Sequence, residues 1–188
     1  LKKLIYDHFA LSAQDKEKFD DDISKLYITN EISAATIAVT PGANVTSIFV
    51  ISVELKKRNY AEKNIQRIAT LIPQNIIFAL HHRSDVQLAV YRTRFLRTGW
   101  KTEADTKLPL DRLTLDTISQ NIIVYISGIT LEPQRTLDEQ IQFDTEQEKR
   151  TAEIERLEKL ARKETQPRKK LELFEKIQEL KRAGNRIE

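Results

Sequence analysis

The chain has 188 residues, 40% hydrophobic and 31% charged, which suits one domain of ordinary size or a smaller domain with an appendage. It contains no cysteine, and this excludes a disulfide framework, thiol catalysis and any Cys-ligated zinc or iron–sulfur centre. No apolar run reaches the roughly 18 residues of a membrane span and no signal-peptide pattern is present, so no membrane association is expected and a cytoplasmic location is. The net charge of +3 is unevenly placed. Residues 1–145 carry 18 basic and 18 acidic side chains, whereas residues 146–188 carry 13 and 10. This composition shift predicts two units, an α/β domain over 1–130 and a helical hairpin over 131–188.

In chain order, the spacing of Phe19, Ile23 and Leu26 predicts a helix over 15–27 with Ser12 as its N-cap. Asp20, Asp21 and Asp22 resemble a metal cluster, but adjacent helical side chains point in different directions, so a solvated helix face is expected. Residues 36–40 read as a short strand, the segment Pro41-Gly42-Ala43-Asn44 as a turn and residues 45–55 as a buried strand, together a β-hairpin. A helix over 62–71 ends at Pro73, and Ile76, Ile77, Phe78 and Leu80 mark a second buried strand. His81 to Asp85 reads as a polar turn, 86–95 as a further strand and 98–109 as an irregular loop. Residues 111–127 form a helix with Leu115, Ile118, Ile122 and Ile126 on one face. Strand, crossover helix and strand imply a βαβ unit. The fold class is therefore α/β (α+β), a mixed sheet flanked by helices.

From Leu137 onward no strand signal remains. One helix is predicted over 137–164 and a second after Pro167, carrying Leu171, Phe174, Ile177 and Leu180 and ending at Gly184. The product is an antiparallel, coiled-coil-like hairpin. Its apolar stripe, Leu157, Leu160, Leu171, Phe174, Ile177 and Leu180, is the expected interaction surface for a partner protein or a second copy. Arg162, Lys163, Arg168, Lys169 and Lys170 concentrate positive charge at its tip, a solvated helix end or a surface for an acidic partner.

Two constellations bear on chemistry. Glu54 and Lys56 sit at the end of a strand that precedes a helix, the E-x-K half of a PD-(D/E)xK nuclease arrangement, in which the carboxylate holds Mg²⁺ or Mn²⁺. No acid lies between Glu31 and Glu54, so the second metal-binding carboxylate is missing from the preceding strand. The alternative is a charged strand end entering solvent, with no cofactor and no catalytic residue. Arg92, Arg94, Arg97, Trp100 and Lys101 form a basic and aromatic group, with Arg92 and Arg94 read as sharing a strand face. They are candidates for nucleic-acid contact or for a charged sheet edge with Trp100 over the core. No nucleotide-binding glycine motif or nucleophile elbow occurs. The adjacent His81 and His82 face opposite ways on an extended chain and do not form a ligand pair.

The run Leu157-Glu158-Lys159-Leu160-Ala161-Arg162-Lys163-Glu164-Thr165-Gln166, continuing Pro167-Arg168-Lys169-Lys170-Leu171-Glu172-Leu173, resembles the C-terminal signature L-E-x-x-x-x-K-E-x-Q-x-x-x-K-x-E-L of a bacterial domain-of-unknown-function family. Leu55-Lys56, Ile72-Pro73 and Ile77-Phe78 extend the resemblance over most of the chain, which departs from the pattern at Leu173-Phe174, where an asparagine is common. The resemblance implies a small companion of helicases and DNA methyltransferases in restriction-type and defence loci, with no assigned activity. A non-enzymatic accessory protein is therefore expected, touching DNA, if at all, through its partner. A nuclease-like domain is the alternative.

Overall fold

A computed structural model of the chain describes residues 2–185. Its backbone divides into two compact units, residues 1–130 and 131–188. The first is a mixed α/β fold around a six-stranded sheet.

Two helices open it, α1 (Lys2–His8) and α2 (Ala13–Asp22). Ser12 caps α2, its Oγ accepting the Asp15 N–H at 3.1 Å. The helix predicted over 15–27 stops at Asp22, because Ile23 begins strand β1 (Ile23–Ser33). Phe19, Ile23 and Leu26 do meet one core, as their spacing suggested. The last two reach it from a strand, since pairing with a long neighbour outweighs weak helical periodicity. That neighbour is β2 (Ser47–Leu55), antiparallel to β1. It takes the place of the hairpin expected with residues 36–40, where Thr40 makes only a single bridge, to Thr114.

Strand β2 then leads through α3 (Glu62–Leu71) to β3 (Asn75–His82), which is parallel to it. This is the predicted βαβ unit. Strand β3 extends through His81 and His82, so neither histidine lies in a turn. The turn is Arg83-Ser84, with Arg83 at φ 56°. Strand β4 (Asp85–Tyr91) pairs antiparallel with β3, β5 (Phe95–Arg97) and β6 (Lys101–Thr102). The single strand read over 86–95 is thus broken at residues 92–94, and Arg92 and Arg94 lie in the bend and not on a shared strand face. Helix α4 (Leu115–Ser127) closes the unit, capped by Thr114 and ended by Gly128 in the left-handed conformation.

Alternation along the strands splits the core in two. Ile51, Val53 and Leu55 of β2, with Phe78 and Leu80 of β3, pack against Ile5, Phe19, Ile65 and Ile68 of the first three helices. The opposite face, with Ile48, Ile77 and Val90, lies beside Ile122 and Ile123 of α4. Asp22 joins the two halves of the first layer. Helix α3 has no side-chain cap at Ala61, and the buried Asp22 carboxylate supplies one from α2. It accepts the Ala61 N–H at 2.8 Å and the Asn64 Nδ2–H at 2.9 Å, and pairs with Lys57 at 2.9 Å. The expected solvated face therefore holds for Asp21 alone, since Asp20 also binds Lys2 and Tyr6.

The second unit contains α5 (Leu137–Lys163) and α6 (Pro167–Asn185). Thr136 and Glu139 form a capping box at the start of α5. Pro167 sits at the first position of α6, where its missing N–H costs nothing. Helix α6 runs on through Gly184, which does not end it. The helices are antiparallel, with Leu157, Ala161 and Ile177 buried in the seam and Ile154, Leu173 and Leu180 packed against them. Lys181 bridges back to Glu158 at 2.9 Å and holds that carboxyl below its usual value. No described helix is long and apolar enough to cross a membrane.

Candidate functional site

The carboxyl ends of parallel strands are where open α/β sheets place ligands. Here β2 and β3 end together, and their register sets Glu54 beside His81. On the other side of Glu54 the antiparallel neighbour brings Lys25, with Tyr27 next along the same face of β1. The Tyr27 hydroxyl donates to Glu54 Oε1 at 3.5 Å and the Ser24 hydroxyl to the Glu54 carbonyl at 3.1 Å. Ser24, Tyr27, Glu54, His81, Arg83 and Glu103 line a cleft of about 340 Å³.

This cleft differs from the E-x-K arrangement. Strand β2 stops at Leu55, and Lys56 leaves it with its N–H donated to the Asp22 carbonyl at 2.9 Å. Its ammonium acts electrostatically on Asp20 of α2, whereas Glu54 faces the cleft. Glu31 lies opposite Phe49, five positions along β2 from Glu54, or roughly 16 Å at the usual strand rise. The acid that does share the cleft is Glu103, delivered by the β4–β6 pairing. Among the described residues no three His, Asp or Glu side chains gather as a metal-binding group. His81 was within reach of sequence reasoning, because a βαβ unit brings the ends of its two strands together. Glu103 had no local signal.

The basic and aromatic group is dispersed over both sheet faces. Arg97 lies on the α3 side, paired with Glu62 at 3.0 Å and 3.5 Å from the Tyr60 hydroxyl. Burial raises the Tyr60 pKa, an effect that Arg97 opposes. Trp100 packs against the same core, edge-on to His82, with the Arg58 guanidinium 5.5 Å from its ring centroid. Lys101 lies on the α4 side, 3.1 Å from the Tyr125 hydroxyl. Arg92 is exposed at the opposite end of the sheet from the cleft, and Arg94 is half-buried beside it.

The apolar stripe of the hairpin divides as well. Leu157, Ile177 and Leu180 fill the seam, while Leu160, Leu171 and Phe174 are 44%, 59% and 48% exposed. Leu160 and Leu173 form the floor of a groove of about 570 Å³ near the tip, edged by Lys163, Lys169 and Lys176 with Glu164 and Glu172. At 3.6 residues per turn, Phe174 and Leu171 lie about 100° and 160° around α6 from Leu173, away from that groove.

Sequence comparison gives this geometry a family and no activity. No curated protein and no solved structure matches the chain. A family model described as "Domain of unknown function (DUF4391)" matches residues 1–183, almost the whole of both units. The chain therefore belongs to the DUF4391 family.

Proposed function

We propose that the protein is a non-enzymatic accessory module that docks through the α5–α6 hairpin onto a component of a DNA-processing system. The observation that carries this reading is the exposure of Leu160, Leu171 and Phe174 on a hairpin whose seam is already filled by other residues. These three large apolar side chains lie outside the filled seam, where they are open to a partner's contact. The resemblance of the tail to companions of helicases and DNA methyltransferases in restriction or defence loci supports such a protein as the partner, with a second copy of the chain as the other candidate. DNA would be reached through the partner. The test is co-purification with a helicase and a methyltransferase of the same genome, together with light scattering, for the wild type and a Leu160→Asp, Leu171→Asp, Phe174→Asp triple variant. A complex or self-association lost in the triple variant supports the reading. A monomer with neither protein recovered, or a complex indifferent to the three changes, refutes it.

One observation favours a second reading, a PD-(D/E)xK-like nuclease. Glu54, His81 and Glu103 line one cleft at the carboxyl end of a parallel strand pair. Cleavage of duplex or single-stranded DNA with Mg²⁺ or Mn²⁺, abolished by Glu54→Ala and reduced by Glu103→Ala, would establish it.

A further inference from the structure

Within the hairpin, the groove near the tip has a composition that selects among partners. Its floor is apolar, Leu160 and Leu173, and its edges carry Lys163, Lys169 and Lys176. Its two carboxylates have weak partners only. Glu164 Oε1 accepts the Gln166 N–H at 2.8 Å, and Glu172 lies 3.5 Å from Arg168. Lys176 acts on Glu153 across the hairpin. Lys163 and Lys169 form no ion pair among the described residues, and the same holds for Lys170 beside them. The groove thus carries a net positive charge, three lysines against two carboxylates, around a half-exposed leucine.

From this we infer that the groove receives an acidic amphipathic helix of a partner protein, apolar side chains on Leu160 and Leu173 and carboxylates against Lys163 and Lys169. The inference rests on the hairpin being the docking arm and adds where on it the partner sits and what chemistry that partner presents. Charge complementarity alone would also suit a phosphate backbone. A nucleic acid would leave the leucine floor wet, whereas an amphipathic helix buries apolar surface and pairs charge in one contact. The groove runs along α6 from Lys169 to Lys176, a length of about 10 Å that about two turns of a helix cover at 1.5 Å rise per residue.

The probe is a fluorescein-labelled helical peptide with Leu and Phe on one face and Glu on the other, titrated by anisotropy with the full chain at low and moderate salt. A Glu-to-Gln version of the peptide and a labelled duplex DNA serve as comparisons. The acidic peptide is expected to bind, and to bind roughly tenfold more weakly after Lys163→Glu with Lys169→Glu, after Leu160→Asp, or when its Glu residues become Gln. Lys149→Glu, the same charge reversal at an exposed position about 20 Å back along α5, should leave binding unchanged, and circular dichroism verifies that each variant keeps its helix content. Absence of binding, equal binding of the acidic and Gln peptides, indifference to the groove substitutions, or displacement of the peptide by DNA would each overturn the inference. Loss of binding in Phe174→Asp alone, on the other flank, would sink the groove while leaving the hairpin as the docking arm. Indifference to changes on both flanks would remove both. A dimer dissociated by Lys163→Glu with Lys169→Glu would assign the groove to a second copy and overturn it also.

Discussion

Replacing Asp22 by alanine removes the acceptor that joins α2 to the start of α3. In the wild type the Asp22 side chain is only 5% exposed. It takes one backbone N–H and one amide N–H, at 2.8 and 2.9 Å. A hydrogen bond to a charged acceptor contributes about 1.5–3 kcal/mol, and a buried donor left unpaired costs a comparable amount. The Lys57 ion pair adds little, because the lysine end is solvent-exposed. The expected loss is therefore about 3–5 kcal/mol. Trp100, the single tryptophan of the chain, packs on the same core and reports its unfolding by fluorescence in a urea titration. Lys57→Ala is the control, expected to lose far less stability than Asp22→Ala. An Asp22→Ala protein within 1 kcal/mol of wild type, or a Lys57→Ala protein equally destabilised, would refute the assignment of Asp22 as the cap of α3.

Gly42→Ala should destabilise the first unit by about 1–3 kcal/mol, read in the same titration. An added Cβ would lie 2.8 Å from the Asp116 backbone nitrogen and against its carboxylate, which holds the loop by accepting N–H groups of Ala43, Asn44 and Val45. Ile177→Ala, in the hairpin seam, should cost about 2–4 kcal/mol while the exposed Phe174→Ala costs under about 1 kcal/mol. Helical circular dichroism against urea makes that comparison. The third expectation concerns pH. Hydrogen bonds from Lys2 and Tyr6 hold the Asp20 carboxyl below its ordinary value. Its stabilising contribution is thus complete above the unfolded carboxylate pKa of about 3.9 and is lost as pH falls through the lower folded value. Urea midpoints of wild type and Asp20→Asn should differ at pH 7 and converge below about pH 4. A gap that is constant from pH 7 to pH 3 would contradict it.

The particular residues show where sequence sufficed. Helix α3 was readable over its full length, and α5 to within a residue, because Ile65, Ile68, Leu157 and Ala161 recur at helical spacing and are bounded by Pro73 and Pro167. The βαβ unit followed from the apolar runs in β2 and β3, since strands buried on both faces need apolar side chains throughout. Strand β1 was not readable. Its middle is largely exposed, Tyr27 and Ile28 included, and it is a strand because β2 pairs with it along its length. The bend at residues 92–94 had no local signal either, being imposed where β4 hands over to β5.

The site followed the same division. Glu54 could be singled out by its place at a strand end, and the hairpin by its charge density and periodicity, because both are local properties of the chain. Which partners Glu54 meets depended on strand order and register, which brought Tyr27, His81 and Glu103 to it and left Lys56 and Glu31 elsewhere. The +3 charge, spread by sequence over a whole tail, is sharpened by the helix pairing. Glu153 and Glu158 are matched by neighbouring cations, while Lys163 and Lys169 stand unpaired beside Leu160 among the described residues. Composition and periodicity determined helix α3, the buried strands β2 and β3 and the two tail helices. Only tertiary packing decided which charges were spent on the fold and which were left to meet a partner, because ion pairing depends on distances that sequence spacing does not specify.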